Sequence, residues 1–350
     1  MKIKFLQAGN GDAIWISFLE NEKPVNILID GGVGDTYKTT KGKPGELFEV
    51  VDIIKKEKQF IDLLVLTHFD DDHIGGILRW LNKDKKASCL IKKIWFNSGK
   101  EIAKKFESDE NKNLDIEIVD GADDFHTSPK QGIKFENYLR DNKLWEGEII
   151  EQGQELTLFG LKFKILSPNQ DKLEKLLKLY EKQKDYFTSG SEYDFNTSLK
   201  KFIDEESSPL FKFYEDNSVA NGSSIAFIME YEDKNFIFLA DAHPSVIIEG
   251  LNKFGYNKDN PLNAEFMKVS HHGSSFNTST DLLEIVNTDK YIISSNASKH
   301  GLPNKRTIAR IINNNSNAYI YFNYDLKDKV FSEQDWKDYS GFRSKMQNEF

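Results

Sequence analysis

The chain contains one dense run of histidine and aspartate, which reads Thr67-His68-Phe69-Asp70-Asp71-Asp72-His73-Ile74-Gly75-Gly76. Five of these ten side chains are imidazoles or carboxylates. The run directly follows the apolar stretch Ile61-Asp62-Leu63-Leu64-Val65-Leu66, which predicts a buried strand. We therefore expect four side chains on the loop between this strand and the next helix, namely His68, Asp70, Asp72 and His73.

Imidazoles and carboxylates packed this closely repel one another or compete for water unless a positive charge lies between them. A divalent metal ion meets that requirement, because neutral imidazole nitrogen and carboxylate oxygen are ligands for zinc, manganese and iron. The alternative is a solvated acidic loop that caps the following helix. The run therefore predicts a metal site, with a helix cap as the competing interpretation.

The same residues resemble the His-x-His-x-Asp-His signature of the metallo-β-lactamase fold, with Asp70 where the usual second histidine would be. This substitution and the trailing Ile74-Gly75-Gly76 resemble the ComEC-like branch, named for the hydrolase domain of the bacterial DNA-uptake protein. The resemblance implies an α/β fold. In this fold two mixed β-sheets pack face to face in an αββα sandwich, with helices on the outer faces.

Further matching segments extend from Leu6 to about Pro303, so we predict one domain of this fold over residues 1–350. Two polar stretches, at about 108–145 and 170–217, weaken the pattern, and we interpret both as insertions. The second is rich in Ser, Glu and Lys with scattered aromatic residues. It is a candidate surface for a partner protein.

The composition is that of a globular protein, with 29% charged and 39% hydrophobic residues. The formal charge of −9 argues against a general polyanion binder, because non-specific nucleic-acid affinity comes from clustered Lys and Arg. No apolar run approaches the ~20 residues of a membrane span, and Met1–Phe5 does not begin a signal peptide. Cys89 is the only cysteine, which fits a reducing compartment. We therefore expect a cytoplasmic protein that does not bind a membrane.

The N-terminal region alternates short apolar runs with turns. We predict strands at Ile3–Leu6, Ala13–Phe18 and Val25–Ile29 and a helix at Glu46–Lys58. Asp12 lies in a glycine-rich turn, either as a hairpin residue or as an acceptor that supports a metal-binding loop. Asp30-Gly31-Gly32 resembles the corner that follows the third strand of the family.

A second group of chemical residues follows later strands. Asp241 comes directly after the strand Phe236–Leu239, and the resemblance implies that it bridges two metal ions. The alternative is an N-cap for the helix near 244–254. His243 is interpreted as a helix-start residue.

The strand Phe266–Ser270 delivers His271-His272-Gly273-Ser274, a sequence that resembles the ComEC-like branch. Adjacent residues of an extended chain point to opposite sides, so one histidine can reach a metal while the other packs or contacts substrate. We favour His271 as the ligand and leave His272 as the alternative.

The chain departs from the family pattern at two places. Asn221 stands where a histidine is common before the bridging aspartate, and its amide oxygen is a weak ligand. Gly301-Leu302-Pro303 stands where relatives often have Gly-His-Pro, so His300 is a candidate replacement for the missing histidine as proton donor. The competing interpretation of His300 is a solvent-exposed loop residue.

The resemblance implies two divalent ions, which we expect to be zinc or manganese, with iron as a further option. Site one takes His68, Asp70, Asp241 and, weakly, Asn221. Site two takes Asp72, His73, Asp241 and His271. The candidate catalytic side chains are Asp72, His272 and His300.

Two ions ~3.5–4 Å apart would hold a hydroxide and stabilise charge on an attacked phosphorus or carbonyl. The resemblance implies a phosphodiesterase or nuclease acting on DNA or RNA, and relatives of this kind resemble components of bacterial anti-phage defence. The alternatives are a hydrolase of small esters, such as a lactone or a phosphocholine ester, and a non-catalytic regulatory subunit. A long groove lined by basic side chains would favour nucleic acid, and the candidates are Lys92, Lys93, Lys299, Lys305 and Arg306.

Overall fold

The computed structural model of the chain describes residues 1–108, 129–145, 147–182 and 193–350. The described residues form two compact units. The first comprises Met1–Glu151, Asn169–Phe187 and Glu349–Phe350, and the second comprises Gln152–Pro168 and Thr188–Asn348, so far as these ranges are described. A single domain over residues 1–350 stays a prediction.

The first unit contains a mixed five-stranded sheet in the order β1-β2-β3-β4-β5. Its strands are β1 (Lys2–Phe5), β2 (Ile14–Glu20), β3 (Lys23–Ile29), β4 (Leu63–Val65) and β5 (Ile94–Trp95). Strands β1, β2 and β3 are antiparallel, whereas β3, β4 and β5 run parallel. Because parallel neighbours end at the same edge of a sheet, the residues after β3 and β4 emerge side by side. The three predicted N-terminal strands are confirmed to within two residues.

The described helices of the first unit are α1 (Gly34–Tyr37), α2 (Glu46–Lys56), α3 (Asp71–Lys83), α4 (Gly99–Lys105), α5 (Pro129–Asp141) and α6 (Gln170–Lys182). The longer helices, α2, α3, α5 and α6, carry apolar residues at helical spacing on one face, and α1 and α4 are short. In α2 the buried residues are Leu47, Val50, Val51 and Ile54, which are the residues of the predicted stripe. Helix α5 lies in the first predicted insertion and α6 in the second, while residues 109–128, 146 and 183–192 of these stretches lie outside the described chain.

The second unit contains a mixed eight-stranded sheet in the order β15-β14-β13-β11-β9-β8-β7-β6 and a parallel pair, β10-β12. Its strands are β6 (Glu155–Leu158), β7 (Leu161–Ser167), β8 (Ala226–Tyr231), β9 (Lys234–Phe238), β10 (Leu262–Asn263), β11 (Phe266–Lys268), β12 (Val286–Asn287), β13 (Lys290–Ile293), β14 (Tyr319–Phe322) and β15 (Arg343–Met346). Strands β9, β11, β13, β14 and β15 run parallel. The residues after β9 and β11 therefore also emerge at one edge. The predicted α/β class with two mixed sheets is confirmed.

Helices of the second unit pack against this sheet and share an apolar core with it. They are α7 (Leu199–Glu206), α8 (Val219–Gly222), α9 (Pro244–Lys253), α10 (Thr280–Ile285), α11 (Lys305–Asn314), α12 (Lys327–Val330) and α13 (Glu333–Asp338). Core side chains such as Ile237, Met267 and Ile293 from the sheet pack with Ile247 and Ile308 from the helices. At about 25 cal/mol per Å² of apolar surface, this burial is the main stabilising term of the unit.

No helix in the described parts of the chain is both long enough and apolar enough to cross a lipid bilayer.

A buried ion pair fixes the start of α11 in the second unit. The Nζ atom of Lys305 lies 2.6 Å from Oδ2 of Asp335, and both side chains are almost fully buried. Burial alone would raise the pKa of the Asp335 carboxyl, but hydrogen bonds from Lys305, the Leu199 backbone and Ser332 hold that pKa below its usual range. Lys305 therefore cannot line a surface groove, and its candidacy as a groove-lining basic residue is wrong.

We expect Lys305→Met to lower the free energy of unfolding by about 3–5 kcal/mol, because the substitution leaves a buried carboxylate without its cation. The loss should be full above the usual aspartate pKa of about 3.9 and should shrink at lower pH, where Asp335 is protonated. Urea denaturation measures the difference.

Lys290→Met is the matched control, because Lys290 and Glu265 form an ion pair in which each side chain is about one-third exposed. We expect this substitution to cost no more than about 1 kcal/mol. Equal losses in the two variants would contradict the assignment of Lys305 as a buried structural cation.

Candidate metal centre

The first unit places the predicted ligands at the edge where β3 and β4 end. Asp30 follows β3, His68 follows β4, and Asp70 is the N-cap residue of α3. The helix begins at Asp71, so Asp72 and His73 lie in its first turn and not on the loop that the sequence predicted. The reason is electrostatic, because carboxylates are favourable beside the partial positive charge of a helix N-terminus.

Asp30 organises this edge, and sequence analysis assigned it no chemical role. Its Oδ1 accepts from the Thr67 backbone N–H at 2.8 Å, and its Oδ2 lies 2.7 Å from both Thr67 Oγ1 and His73 Nδ1. Burial raises the pKa of the Asp30 carboxyl, although His73 and Thr67 oppose the rise. The resemblance of Asp30-Gly31-Gly32 to a family corner was the available signal.

These hydrogen bonds orient both imidazoles of the first unit. His73 donates from Nδ1 to the Asp30 carboxylate, which leaves Nε2 as the ring nitrogen that can bind a metal. The Thr67 hydroxyl donates to Asp30 and accepts from His68 Nδ1 at 3.1 Å, so His68 is fixed in the same tautomer. The two rings lie 4.1 Å apart, and His68 Nε2 is 3.9 Å from Asp70 Oδ2.

The turn between β1 and β2 holds Asp72 from the other side. Asn10 Nδ2 donates to Asp72 Oδ2 at 3.0 Å, and the Asp12 backbone N–H donates to the Asp72 carbonyl at 3.1 Å. A Cβ atom on Gly11 would lie 1.8 Å from that carbonyl oxygen, so glycine is required for this approach. Asp12 is buried at the end of this turn, which fits its predicted supporting role.

In the second unit Asp241 follows β9, and its alternative role as a helix cap is wrong. The N-cap residue of α9 is His243, which confirms that residue as the helix start. The carboxylate of Asp241 instead faces the histidines that follow β11. Its Oδ2 lies 3.7 Å from Nε2 of His271 and 3.7 Å from Nε2 of His272.

The two adjacent histidines do not point to opposite sides, as an extended chain would require. Strand β11 ends at Lys268, and residues Ser270–Gly273 form a 3-10 turn in which His271 and His272 have φ values of 47° and 54°. This left-handed backbone directs both Nε2 atoms toward Asp241. The choice between the two histidines is therefore unnecessary, because both face the same carboxylate.

Hydrogen bonds at Nδ1 also fix the tautomers of this pair. His272 donates to the Ser294 carbonyl at 3.1 Å, and His271 donates to Asn277 Oδ1 at 3.0 Å. Burial lowers the pKa of His271, but the carboxylates of Asp241 and Asp216 more than offset this, so that the pKa of the metal-free side chain is raised. Metal binding at His271 therefore competes with protonation of Nε2.

Asp216 is a central residue of the second unit that sequence analysis missed. Its Oδ2 accepts from Asn221 Nδ2 at 2.7 Å and from Asn277 Nδ2 at 3.1 Å, and it lies 3.6 Å from His271 Nδ1. Burial would raise the pKa of this carboxyl, but the His271 imidazole holds it well below its usual range. Asp216 lies outside any helix or strand, so no periodic pattern marks it.

Asn221 is held in an orientation that suits a weak ligand. Its amide nitrogen donates to the Asp216 carboxylate, which can only accept, so Oδ1 is the amide atom that points away from Asp216. Oδ1 is buried and has no hydrogen-bond partner among the residues described. The predicted role of Asn221 as an oxygen ligand is compatible with this arrangement.

The predicted proton donor is exposed, and most of the predicted basic residues form ion pairs. His300 is exposed on the loop between β13 and α11, and Leu302 beside it is buried. Three of the basic side chains make ion pairs, in addition to Lys305: Lys92 with Asp62, Lys93 with Glu148 and Arg306 with Glu205. Their charges are therefore already compensated within the protein.

The chemistry of the two donor sets fits divalent metal ions. Each set combines imidazoles whose Nδ1 atoms are engaged by hydrogen bonds with carboxylates that are buried or half-buried. This is the usual arrangement of metal-binding histidines, in which the second ring nitrogen is held by a carboxylate, carbonyl or other acceptor. The mixture of nitrogen and oxygen donors suits zinc, manganese or iron.

Comparison with known proteins agrees with this chemistry. Residues 10–160 match the metallo-beta-lactamase superfamily. This segment holds Asp12, Asp30 and the whole run from His68 to His73. The metallo-beta-lactamase fold class predicted from the sequence is thereby confirmed, and the chain carries His and Asp clusters that can bind metal. No curated protein matches the chain.

Solved structures resemble the chain only distantly. The metallo-beta-lactamase fold protein YhfI from Bacillus subtilis is 9% identical with a TM-score of 0.42, and the match covers 100% of this chain and 98% of YhfI. A protein from Parabacteroides distasonis, whose name suggests a metal-dependent hydrolase, is 11% identical with a TM-score of 0.38 over 99% and 91% of the two chains.

We expect Asp216→Asn to weaken metal binding about 10–100-fold, because His271 loses the charge of its neighbouring carboxylate while the side-chain shape is kept. Titration of the apoprotein with zinc or manganese, followed by calorimetry, measures the change. Asp194→Asn is the matched control, because Asp194 is also half-buried in this unit but binds the backbone N–H groups of Lys305 and Arg306. An equal change in both variants would mean that Asp216 acts only through stability.

Proposed function

We propose that this protein is a metal-dependent phosphodiesterase that hydrolyses DNA or RNA. The observation that carries the proposal is the fixed tautomer of four histidines, His68, His73, His271 and His272, each with Nδ1 engaged and Nε2 left as the ligand atom. The superfamily match adds a hydrolytic, metal-dependent chemistry. The resemblance of the His-Asp run to the ComEC-like branch supports a nucleic-acid substrate.

The ligands in this proposal are those assigned from the sequence. They are His68, Asp70, Asp72, His73, Asn221, Asp241 and His271. Divalent ions bound by such residues supply a water of lowered pKa and stabilise negative charge on an attacked phosphorus. Manganese or zinc suits the mixed nitrogen and oxygen donors, and two ions would match the number of ligands.

The remaining residues orient the ligands and hold protons. Asp30 and the Ser294 carbonyl fix His73 and His272 in the tautomer that presents Nε2. Asp216 and Asn277 do the same for His271. Fixed orientation lowers the cost of assembling the site, because the side chains need not be ordered during binding or reaction.

A small phosphate or carboxylic ester is the second candidate substrate. The observation that favours it is the compensation of Lys92, Lys93, Lys305 and Arg306 by acidic partners, which removes most of the basic side chains expected along a groove. The ComEC-like branch, a role in anti-phage defence and a cytoplasmic location stay predictions.

The test is a metal analysis followed by a substrate panel. Wild-type protein reconstituted with manganese or zinc is assayed on single-stranded DNA, duplex DNA, RNA, bis(p-nitrophenyl) phosphate and a lactone. We expect metal-dependent cleavage of a nucleic acid, and loss of metal in Asp72→Ala but not in the matched control Asp71→Ala. Hydrolysis of the lactone alone would select the second candidate. A wild type that binds no metal would overturn both.

We expect Asp241→Ala to lower activity and metal content more than Asn221→Ala does, because a carboxylate that serves two ions is lost in one case and a weak amide ligand in the other. Elemental analysis and initial rates on the same preparations measure both effects. Equal, small effects would assign the bridging role to another residue.

We expect His300→Ala to lower turnover about 10²–10⁴-fold without changing metal content, if His300 donates a proton to the leaving group. Leu302→His should then restore part of the activity. Unchanged turnover in His300→Ala would assign this exposed histidine to the loop surface, and the leaving group would take its proton from water.

A further inference from the structure

A short basic hairpin follows α1 in the first unit. Thr39 N–H donates to the Lys43 carbonyl at 2.9 Å, and Gly42 N–H donates to the Thr39 carbonyl at 2.8 Å. Gly42 has a φ of 80°, which is the left-handed conformation that closes a three-residue hairpin loop. Lys38 and Pro44 pair at its base. The loop is therefore ordered by its own backbone.

The hairpin carries uncompensated positive charge on a chain whose net charge is −9. Its tip reads Thr39-Thr40-Lys41-Gly42-Lys43, with no acidic residue. Lys41 and Lys43 are exposed, and neither makes an ion pair within the described residues. This distinguishes them from Lys92, Lys93, Lys305 and Arg306, whose charges have acidic partners.

Arg79 of α3 ties the base of the hairpin to the helix that carries the metal ligands. Its Nη1 donates to the Lys38 carbonyl at 2.6 Å and to Asp35 Oδ1 at 2.5 Å. Arg79 lies seven residues after Asp72 on the same helix, which corresponds to two turns and an axial distance of about 10 Å. The hairpin is thus anchored at a fixed distance from the ligands in the first turn of α3.

We propose that the hairpin Lys38–Pro44 binds the phosphate backbone of the nucleic-acid substrate, with Lys41 and Lys43 as the contact residues. This inference rests on the proposed phosphodiesterase function. One strand of a duplex carries a phosphate every 3.4 Å or so along its axis, so a strand whose scissile phosphate lies at the ligands carries further phosphates past the neighbouring surface of the first unit. The hairpin adds affinity for a nucleic-acid strand. A small ester cannot use this added affinity.

The test measures binding of a fluorescein-labelled phosphorothioate DNA strand, which resists cleavage, by fluorescence anisotropy at several salt concentrations. The variant is Lys41→Ala/Lys43→Ala. The slope of log K against log salt is negative, and each lost phosphate contact reduces its magnitude by about 0.7 for a single strand, so we expect the slope to become less negative by about 1.4. Metal content and the thermal midpoint show whether the variant is folded.

Lys85→Ala/Lys86→Ala is the matched control. These two lysines are equally exposed but follow the C-terminal end of α3, away from the ligands in its first turn. We expect the control to keep the wild-type slope. Equal slopes for wild type and the hairpin variant, or equal decreases in both variants, would overturn the inference.

Two further outcomes separate this inference from the proposed function. Cleavage of DNA with an unchanged salt slope in the hairpin variant would overturn the hairpin contact and leave the phosphodiesterase intact. Lysine-dependent DNA binding by a wild type that cleaves no substrate would support the contact and refute the activity.

Lysine-dependent binding to phosphatidylserine vesicles without DNA binding would overturn the inference in favour of a membrane surface.

Discussion

The buried carboxylate of Asp30 is the constraint on which the first unit depends. It accepts hydrogen bonds from the backbone and side chain of Thr67 and from His73, and so joins the ends of β3 and β4 to the first turn of α3. A buried carboxylate without such partners would cost several kcal/mol or more. The three elements are therefore kept together by the need to satisfy one side chain, and the orientation of two imidazoles follows from the same hydrogen bonds.

In the second unit, a turn with a strained backbone orients the two histidines. His271 and His272 occupy the left-handed region, where a residue with a Cβ atom costs roughly 1–2 kcal/mol. Strain of this kind persists only where surrounding contacts determine it. Here Asn277, the Ser294 carbonyl and the carboxylates of Asp216 and Asp241 surround the rings, so that polar contacts oppose the preference of the backbone.

Local patterns in the sequence were sufficient for the strands, for helix α2 and for the placement of His68, Asp241 and His271 after strands. Each of these features depends on residues that are neighbours in the chain. Asp216 could not be found in this way. Its role comes from contacts with Asn221, Asn277 and His271, and the last two lie more than 50 residues away in sequence. The burial of Lys305 was equally invisible, because its partner Asp335 lies 30 residues further on.

Main-chain atoms also hold the backbone of the candidate ligand run from His68 to His73. Gly31 N–H bonds to the His73 carbonyl, Gly76 N–H to the Gly32 carbonyl and Asp12 N–H to the Asp72 carbonyl. A Cβ atom on Gly76 would lie 2.0 Å from the Gly31 oxygen, so glycine is required at this contact. Peptide groups are the same in every sequence. The backbone path of this run can therefore survive replacement of surrounding side chains other than Asp30, Thr67 and Asn10 during evolutionary drift, whereas a single methyl group at one of these glycines would disrupt it.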